Sequence, residues 1–227
     1  MLYIDTSIAA RNGGCFPATA TVQLESGETR SMANLSVGER VLTVDSDGRL
    51  LYDDVIAFLH RRPELMTSFG VIATGAGYRL IATGDHLVFT SPDGSAAPFT
   101  DSAPAHFVAH LHPGTDSVYV TSPGSKHLAV STVTNVTMAT GRGLFAPLTS
   151  RGTIVVDGVA VSCYAFVSSQ RVAHWSMAPL RLRARTCWWW SCHDDVIAPV
   201  DGVHWYAHLV RRLVEFLLPH SDLWYTR

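Results

Sequence analysis

The sequence predicts a mainly β protein: a compact, strand-rich body followed by a small helical, aromatic-rich C-terminal region. Three observations carry that prediction. Short runs rich in Val, Ile, Thr, Tyr and Phe recur from Thr19 to about Val167, turn-forming residues punctuate them, and the texture changes after Ser168. With 227 residues, 47% hydrophobic and 16% charged, the chain has enough apolar material for a sizeable core and too much for extended disorder.

The strand segments in order are Thr21 to Leu24, Arg40 to Val44, Val71 to Thr74, Tyr78 to Thr83, His86 to Thr90 and Ser117 to Thr121. Between and after them lie Asp47-Gly48, Gly75-Ala76-Gly77, Pro92-Asp93-Gly94, Pro123-Gly124, Arg151-Gly152 and Asp157-Gly158. Hairpins need residues that tolerate positive φ where the chain reverses, so this punctuation favours an antiparallel β assembly over a parallel α/β sheet. Behind a boundary near residues 166–170, Trp175 to Trp190 mixes Leu and Arg before three consecutive tryptophans. Ser191 to Gly202 reads as a loop. His204 to Leu218 carries Trp205, Leu209, Leu213, Phe216 and Leu217 at helical spacing, with Arg211, Arg212 and Glu215 turned to water, which predicts an amphipathic helix.

Charge and cysteine usage narrow the functional classes. With 17 Lys plus Arg against 19 Asp plus Glu, there is no basic surplus to condense on a phosphate backbone, and no nucleic-acid partner is expected. Arg, His or Asp interrupts each apolar stretch before it reaches bilayer-spanning length, and the first fourteen residues lack the basic start and apolar centre of a signal peptide. Cys15, Cys163, Cys187 and Cys192 are too few and too scattered for a disulfide scaffold. No CxxC pair exists, and the eleven histidines are read as lacking zinc-site spacing, so no metal and no resident cofactor are expected.

Chemistry concentrates at Gly13-Gly14-Cys15. A glycine before a cysteine leaves its carbonyl sterically open, so the Cys15 sulfur is placed to attack the peptide bond that joins it to Gly14, through a five-membered ring. Such an amide-to-thioester shift needs a proton on the departing amine and polar support for the bond being broken. Thr83-Gly84-Asp85-His86 puts a hydroxyl and an imidazole on one tight turn and can supply both. Asp85 in that turn either hydrogen-bonds the His86 ring or caps the turn, and the turn reading is preferred. Cys163, inside the apolar run Val161-Ser162-Cys163-Tyr164-Ala165, reads first as a buried thiol.

Together with ANLSVGERVL (33–42), TGDHLVFT (83–90), FAPLTSRGTIVVDGVAVSCYA (145–165), MAPLRL (177–182) and GVHWYAHLVRRL (202–213), the GGCFP segment resembles the C-terminal autoprocessing domain of Hedgehog proteins. The resemblance implies a compact all-β Hint (Hedgehog/intein) fold over 15–167, a sterol-recognition region over 168–227, and a remnant of the signalling domain over 1–14. It implies that Cys15 is the nucleophile and Gly14 the acyl donor, with Thr83 and His86 assisting the acyl shift. Cholesterol, or a related sterol, would then be the co-substrate that displaces the thioester and esterifies the upstream signalling fragment. Cys163 would be a second thiol exchanging with the nucleophile, and whether the two pair is left open. Residence in the secretory pathway is likewise inherited from the family.

One departure bears directly on the chemistry. The family usually places an aspartate, the general base toward the sterol hydroxyl, after a Phe-Leu pair; here Phe58-Leu59 is followed by His60. An imidazole can accept that proton at neutral pH. Two outcomes therefore stay open, sterol transfer with His60 as base, or hydrolysis of the thioester without lipidation. An inactive β interaction domain is the alternative from another class. Arg181, Arg183 and Arg185 ahead of Trp188 to Trp190 suit either contact with a membrane surface or packing against the β body. Asn34-Leu35-Ser36 and Asn135-Val136-Thr137 match N-glycosylation acceptor triplets.

Overall fold

In the computed structural model, residues 14–92, 97–100, 102–164, 178 and 202–203 are described. Over these residues the chain is almost entirely β. Two short strands, β1 (Thr21–Gln23) and β2 (Thr29–Ser31), form their own antiparallel pair. Ten more make one extensive sheet: β3 (Arg40–Val44), β4 (Leu50–Thr74), β5 (Arg79–Ala82), β6 (Leu87–Phe89), β7 (Ala105–Phe107), β8 (Ser117–Val120), β9 (Ala129–Thr149), β10 (Thr153–Val156), β11 (Val159–Ser162) and β12 (Gly202–Val203). A 3-10 turn over Val108–His110 follows β7.

The frame is the pairing of β4 with β9, which runs antiparallel from Val55 opposite Thr149 to Thr74 opposite Val133. Strands of 25 and 21 residues cannot stay flat and enclose a core, and the ladder shifts register at four places, between Val55 and Ala57, Phe58 and His60, Arg62 and Met66, and Ala73 and Thr74. At the second shift Phe58 lies opposite Pro147 and His60 opposite Ala146. Proline has no N–H for the ladder, so the strand bulges beside it. β3 covers the first part of β4 and β5 the last, while β8 covers the start of β9.

The hairpin from β10 to β11 turns on Asp157 and Gly158, both at positive φ (49° and 81°), as the Asp-Gly pair predicted. A side chain at 158 would collide with the Tyr78 ring, so glycine is required there twice over. The Asp157 carboxylate accepts from the backbone N–H and the hydroxyl of Thr21, each at 2.8 Å, which ties the hairpin to the start of β1. Burial raises the pKa of this carboxyl, and the Thr21 bonds work against that rise.

Phe16, Phe58, Phe69, Phe145, Leu35, Ile72 and Tyr164 lie in the main core between these layers, and Phe89, Phe99 and Tyr119 form a second cluster of edge-to-face rings. The predicted mainly β class stands. The predicted helix His204 to Leu218 lies outside the described residues, as does the three-tryptophan run. Gly202, read as the end of a loop, instead begins β12, whose two residues pair with Arg61 and His60 of β4.

Candidate active site

Three distant pieces of chain meet at Cys15. The first is the segment that follows the glycine: Phe16 exchanges both backbone hydrogen bonds with Phe145 of β9, at 2.8 and 3.0 Å, so the residue after Cys15 is locked into the sheet. The second is the turn between β5 and β6. The Cys15 N–H donates to Thr83 Oγ1 at 2.9 Å, and the Thr83 N–H donates back to the Cys15 carbonyl at 2.9 Å. The third is β4, where the bulge beside Pro147 delivers His60, and Nδ1 of its ring lies 3.2 Å from the Cys15 sulfur.

The turn itself is closed by the His86 N–H donating to the Thr83 carbonyl at 3.0 Å. The 3-10 turn docks on it, with the N–H of Val108 bonded to the His86 carbonyl and that of Ala109 to the Gly84 carbonyl. A small residue is needed at 84, where a Cβ would press on the methyl of Ala109. The His86 ring packs on the Phe16 ring, 4.2 Å between centroids, so the same residue that anchors the strand also orients the imidazole.

Cys15 and its partners are fully enclosed: Cys15 is 0% exposed and Thr83, His60 and His86 are 1% exposed. Enclosure decides their charge states. Burial raises the Cys15 thiol pKa well above its ordinary value, and the negative Asp85 nearby raises it further, so Cys15 rests as a neutral thiol. Burial pushes His86 down to about 4, against the opposing influence of the Gly14 and Ser162 backbone groups close to the ring. His86 is therefore neutral at physiological pH. Neither of its ring nitrogens completes a hydrogen bond among the described residues, and a buried unsatisfied imidazole is costly unless it has a partner in the reaction.

The residues singled out in the sequence separate into two groups. Cys15, Gly14, Thr83, His86 and His60 converge, although 45 and 68 positions part Cys15 from His60 and Thr83. Asp85 acts on the Cys15 thiol and does not figure among the groups that shift His86. Cys163 follows β11, and its sulfur contacts Thr149 Oγ1 at 3.7 Å; burial raises its pKa to about 12. Cys15 and Cys163 are both buried, as thiols and not as partners in a disulfide.

Sequence reading missed the contribution of Phe16, visible only as the residue after a cysteine, and the histidines of a second cavity. His106 and His110 are four positions apart, a spacing that the reading of the histidines overlooked, and with His112 and Asp116 they line an open cavity of about 330 Å³. No group of three or more ligand-type side chains among the described residues is placed to hold a metal ion. No helix among them is long and apolar enough to cross a membrane. Both Asn34 and Asn135 are exposed.

A long bulged β ribbon that buries a cysteine at its head against a Thr-x-x-His turn defines a class of protein, the Hint module, and the family model of that name matches residues 3–219. The chain belongs to the Hint-module family. It is 40% identical to Indian hedgehog protein of Gallus gallus over 94% of its length, and 36% identical to Tiggy-winkle hedgehog protein of Danio rerio over 96%. It covers 50% and 52% of these two proteins, so the chain spans about half the length of the curated relatives it matches. The resemblance to the Hedgehog autoprocessing domain drawn from the motifs thus holds. Among solved structures, the DnaB intein of Synechocystis sp. PCC 6803 superposes with a TM-score of 0.52 at 13% identity, covering 66% of this chain and 97% of the intein, which is a likeness of fold. Family and fold together support autoprocessing as the class of activity.

Proposed function

We propose that the protein cuts its own chain between Gly14 and Cys15, acting once as an intramolecular cysteine acyltransferase. The observation that carries this reading is the enclosed contact set of Cys15, with a threonine hydroxyl on its nitrogen and an imidazole on its sulfur. The sulfur attacks the Gly14 carbonyl carbon and the C–N bond breaks, leaving a thioester at Gly14 and a free amine at Cys15. Thr83 Oγ1 holds that nitrogen through the change, and His86 lies against the backbone of Gly14.

In the second step a hydroxyl displaces the thioester. Our reading takes this to be a sterol, cholesterol or a relative, presented by the region 168–227, with His60 as general base and the upstream fragment leaving as an ester. The reaction is assigned to the secretory pathway on the resemblance to hedgehog proteins. A second reading is favoured by His60 itself: a base held against the sulfur serves water as readily as a sterol, and would release the fragment with a free carboxylate.

Mass spectrometry of a precursor carrying an upstream fusion partner, incubated with and without cholesterol, separates these readings. A product heavier by one esterified sterol is expected only in the presence of cholesterol. A free acid under both conditions selects hydrolysis, and an intact precursor even after added thiol refutes autoprocessing altogether. Cys15→Ala is expected to abolish every product.

A further inference from the structure

Part of β9 has one edge covered and the other open. β8 pairs with Ala129 to Thr132, and the Val133 N–H donates to the Asp116 carbonyl at 2.9 Å. From Asn135 to Gly141 the strand pairs with β4 alone, and its outer edge meets no other strand among the described residues. That edge is tied down again at Arg142, whose carbonyl accepts from the Ala18 N–H at 2.9 Å.

An open edge offers unpaired N–H and C=O groups to any other extended chain, and proteins usually blunt it with lysine, proline or another charge. Neither device is present here: Ala129 to Gly141 reads AVSTVTNVTMATG, rich in Val and Thr, with no charged residue and no proline. Such a composition favours strand pairing between copies. Met138, 67% exposed, adds apolar surface beside the edge. One bulge marks the start of the stretch, where the register slips between Ala73 and Thr74 of β4 and Thr134 is the extra residue.

Immediately after that bulge stands the triplet Asn135-Val136-Thr137. We propose that Asn135 carries an N-linked oligosaccharide, and that this glycan keeps the open edge of β9 from pairing with a second copy of the chain. Asn135 and Thr137 are both exposed, and neither the amide of the first nor the hydroxyl of the second makes a hydrogen bond to the described residues. The neighbouring Thr134 hydroxyl, by contrast, is engaged, donating to the Ala73 carbonyl at 3.1 Å. The donor class is a lipid-linked oligosaccharide diphosphate. The Asn135 amide nitrogen bonds to the sugar C1, the C1–O bond to the diphosphate breaks, and one amide proton is lost. A bulky, hydrated glycan rooted on the strand excludes a further strand sterically while the ladder with β4 stays intact. Asn34-Leu35-Ser36 has no such setting: Asn34 lies in a turn, Leu35 is in the core, and the Ser36 N–H donates to the Glu39 carboxylate at 2.7 Å. From the functional reading the proposal needs only passage through the secretory pathway, and not the acyl shift.

The site is tested by expressing the chain behind a secretory leader in a eukaryotic cell and treating the product with peptide-N-glycosidase, which leaves aspartate in place of each modified asparagine. A loss of mass with that conversion at position 135, read by tandem mass spectrometry, is expected. An unchanged mass, or conversion at Asn34 alone, overturns the site. The shielding role is tested by association state. Thr137→Ala and Thr137→Lys both destroy the triplet, and the second also returns a charge to the edge. In size-exclusion chromatography at matched concentration, the parent and Thr137→Lys are expected to elute as monomers and Thr137→Ala as dimers or larger assemblies. Asn135→Gln bares the same edge by a different change and is expected to shift likewise. Either bare variant, folded by circular dichroism, that elutes with the parent overturns the shielding, as does Thr137→Lys associating like Thr137→Ala. Cleavage is scored separately with hydroxylamine, a nucleophile that captures a thioester: a glycosylated parent that stays uncut counts against the acyl shift and leaves the glycan at Asn135 standing.

Discussion

A buried imidazole that must stay neutral makes folding sensitive to acid, and His86 is such a group. Its folded-state pKa of about 4 lies below the ordinary value near 6.5, so the unfolded chain binds a proton in a range where the folded one does not. Stability from this residue is complete above pH ~6.5 and is lost as pH falls toward ~4, by roughly 3 kcal/mol across the window. Urea midpoints measured through that range are expected to fall less steeply in His86→Gln than in the parent; equal slopes would remove His86 as the cause. At this scale much of the site was legible. Gly14 and Cys15 announce themselves by adjacency, and Thr83 with His86 by sharing one turn. The contact between His60 and the sulfur was not legible, because it depends on where a 25-residue strand bulges.

The bulge is the element that matters most, since it converts an alternating strand into one that aims His60 at Cys15. The sequence marks it only through Pro147, on the partner strand. Short strands with clear turn signals, β3 and β8 among them, were found almost residue for residue, because Val, Tyr and Thr runs bounded by Gly and Asp identify themselves. Of β4 only Val71 to Thr74 was read as a strand, and β9 was missed: Arg61, Arg62, Pro63 and Glu64 break the apolar pattern of one, and Gly141 with Gly143 that of the other, yet the ladder resumes beyond each break. The hairpin at Asp157-Gly158 offers a test of turn chemistry at this scale. Gly158→Ala puts a methyl into the Tyr78 ring at positive φ, and Tyr78 is held by the Thr121 hydroxyl at 3.1 Å. A loss of about 2–4 kcal/mol in unfolding free energy is expected; a change under ~0.5 kcal/mol would mean that the hairpin yields freely.

Across the whole molecule, the sheet brings two segments far apart in sequence to the same residue. Cys15 approaches His60 by its side chain, while Val203 of β12 pairs with its backbone from the edge of β4 opposite β9. That arrangement sets the two residues of β12 directly beside the proposed base. Val203→Pro, which cannot continue the strand, is expected to leave hydroxylamine cleavage within about twofold of the parent and to suppress the cholesterol-dependent product by tenfold or more. Equal loss of both would assign β12 to the stability of the β body alone. The paired backbone of Phe16 and Phe145 carries a last consequence. Both bonds lie on the far side of the Gly14–Cys15 peptide, so under the proposed cleavage Phe16 keeps its place in the sheet, and the newborn amine stays within reach of the acyl group it has just surrendered. The first step can therefore run backward, and only an acceptor that carries the acyl group away makes the cut permanent.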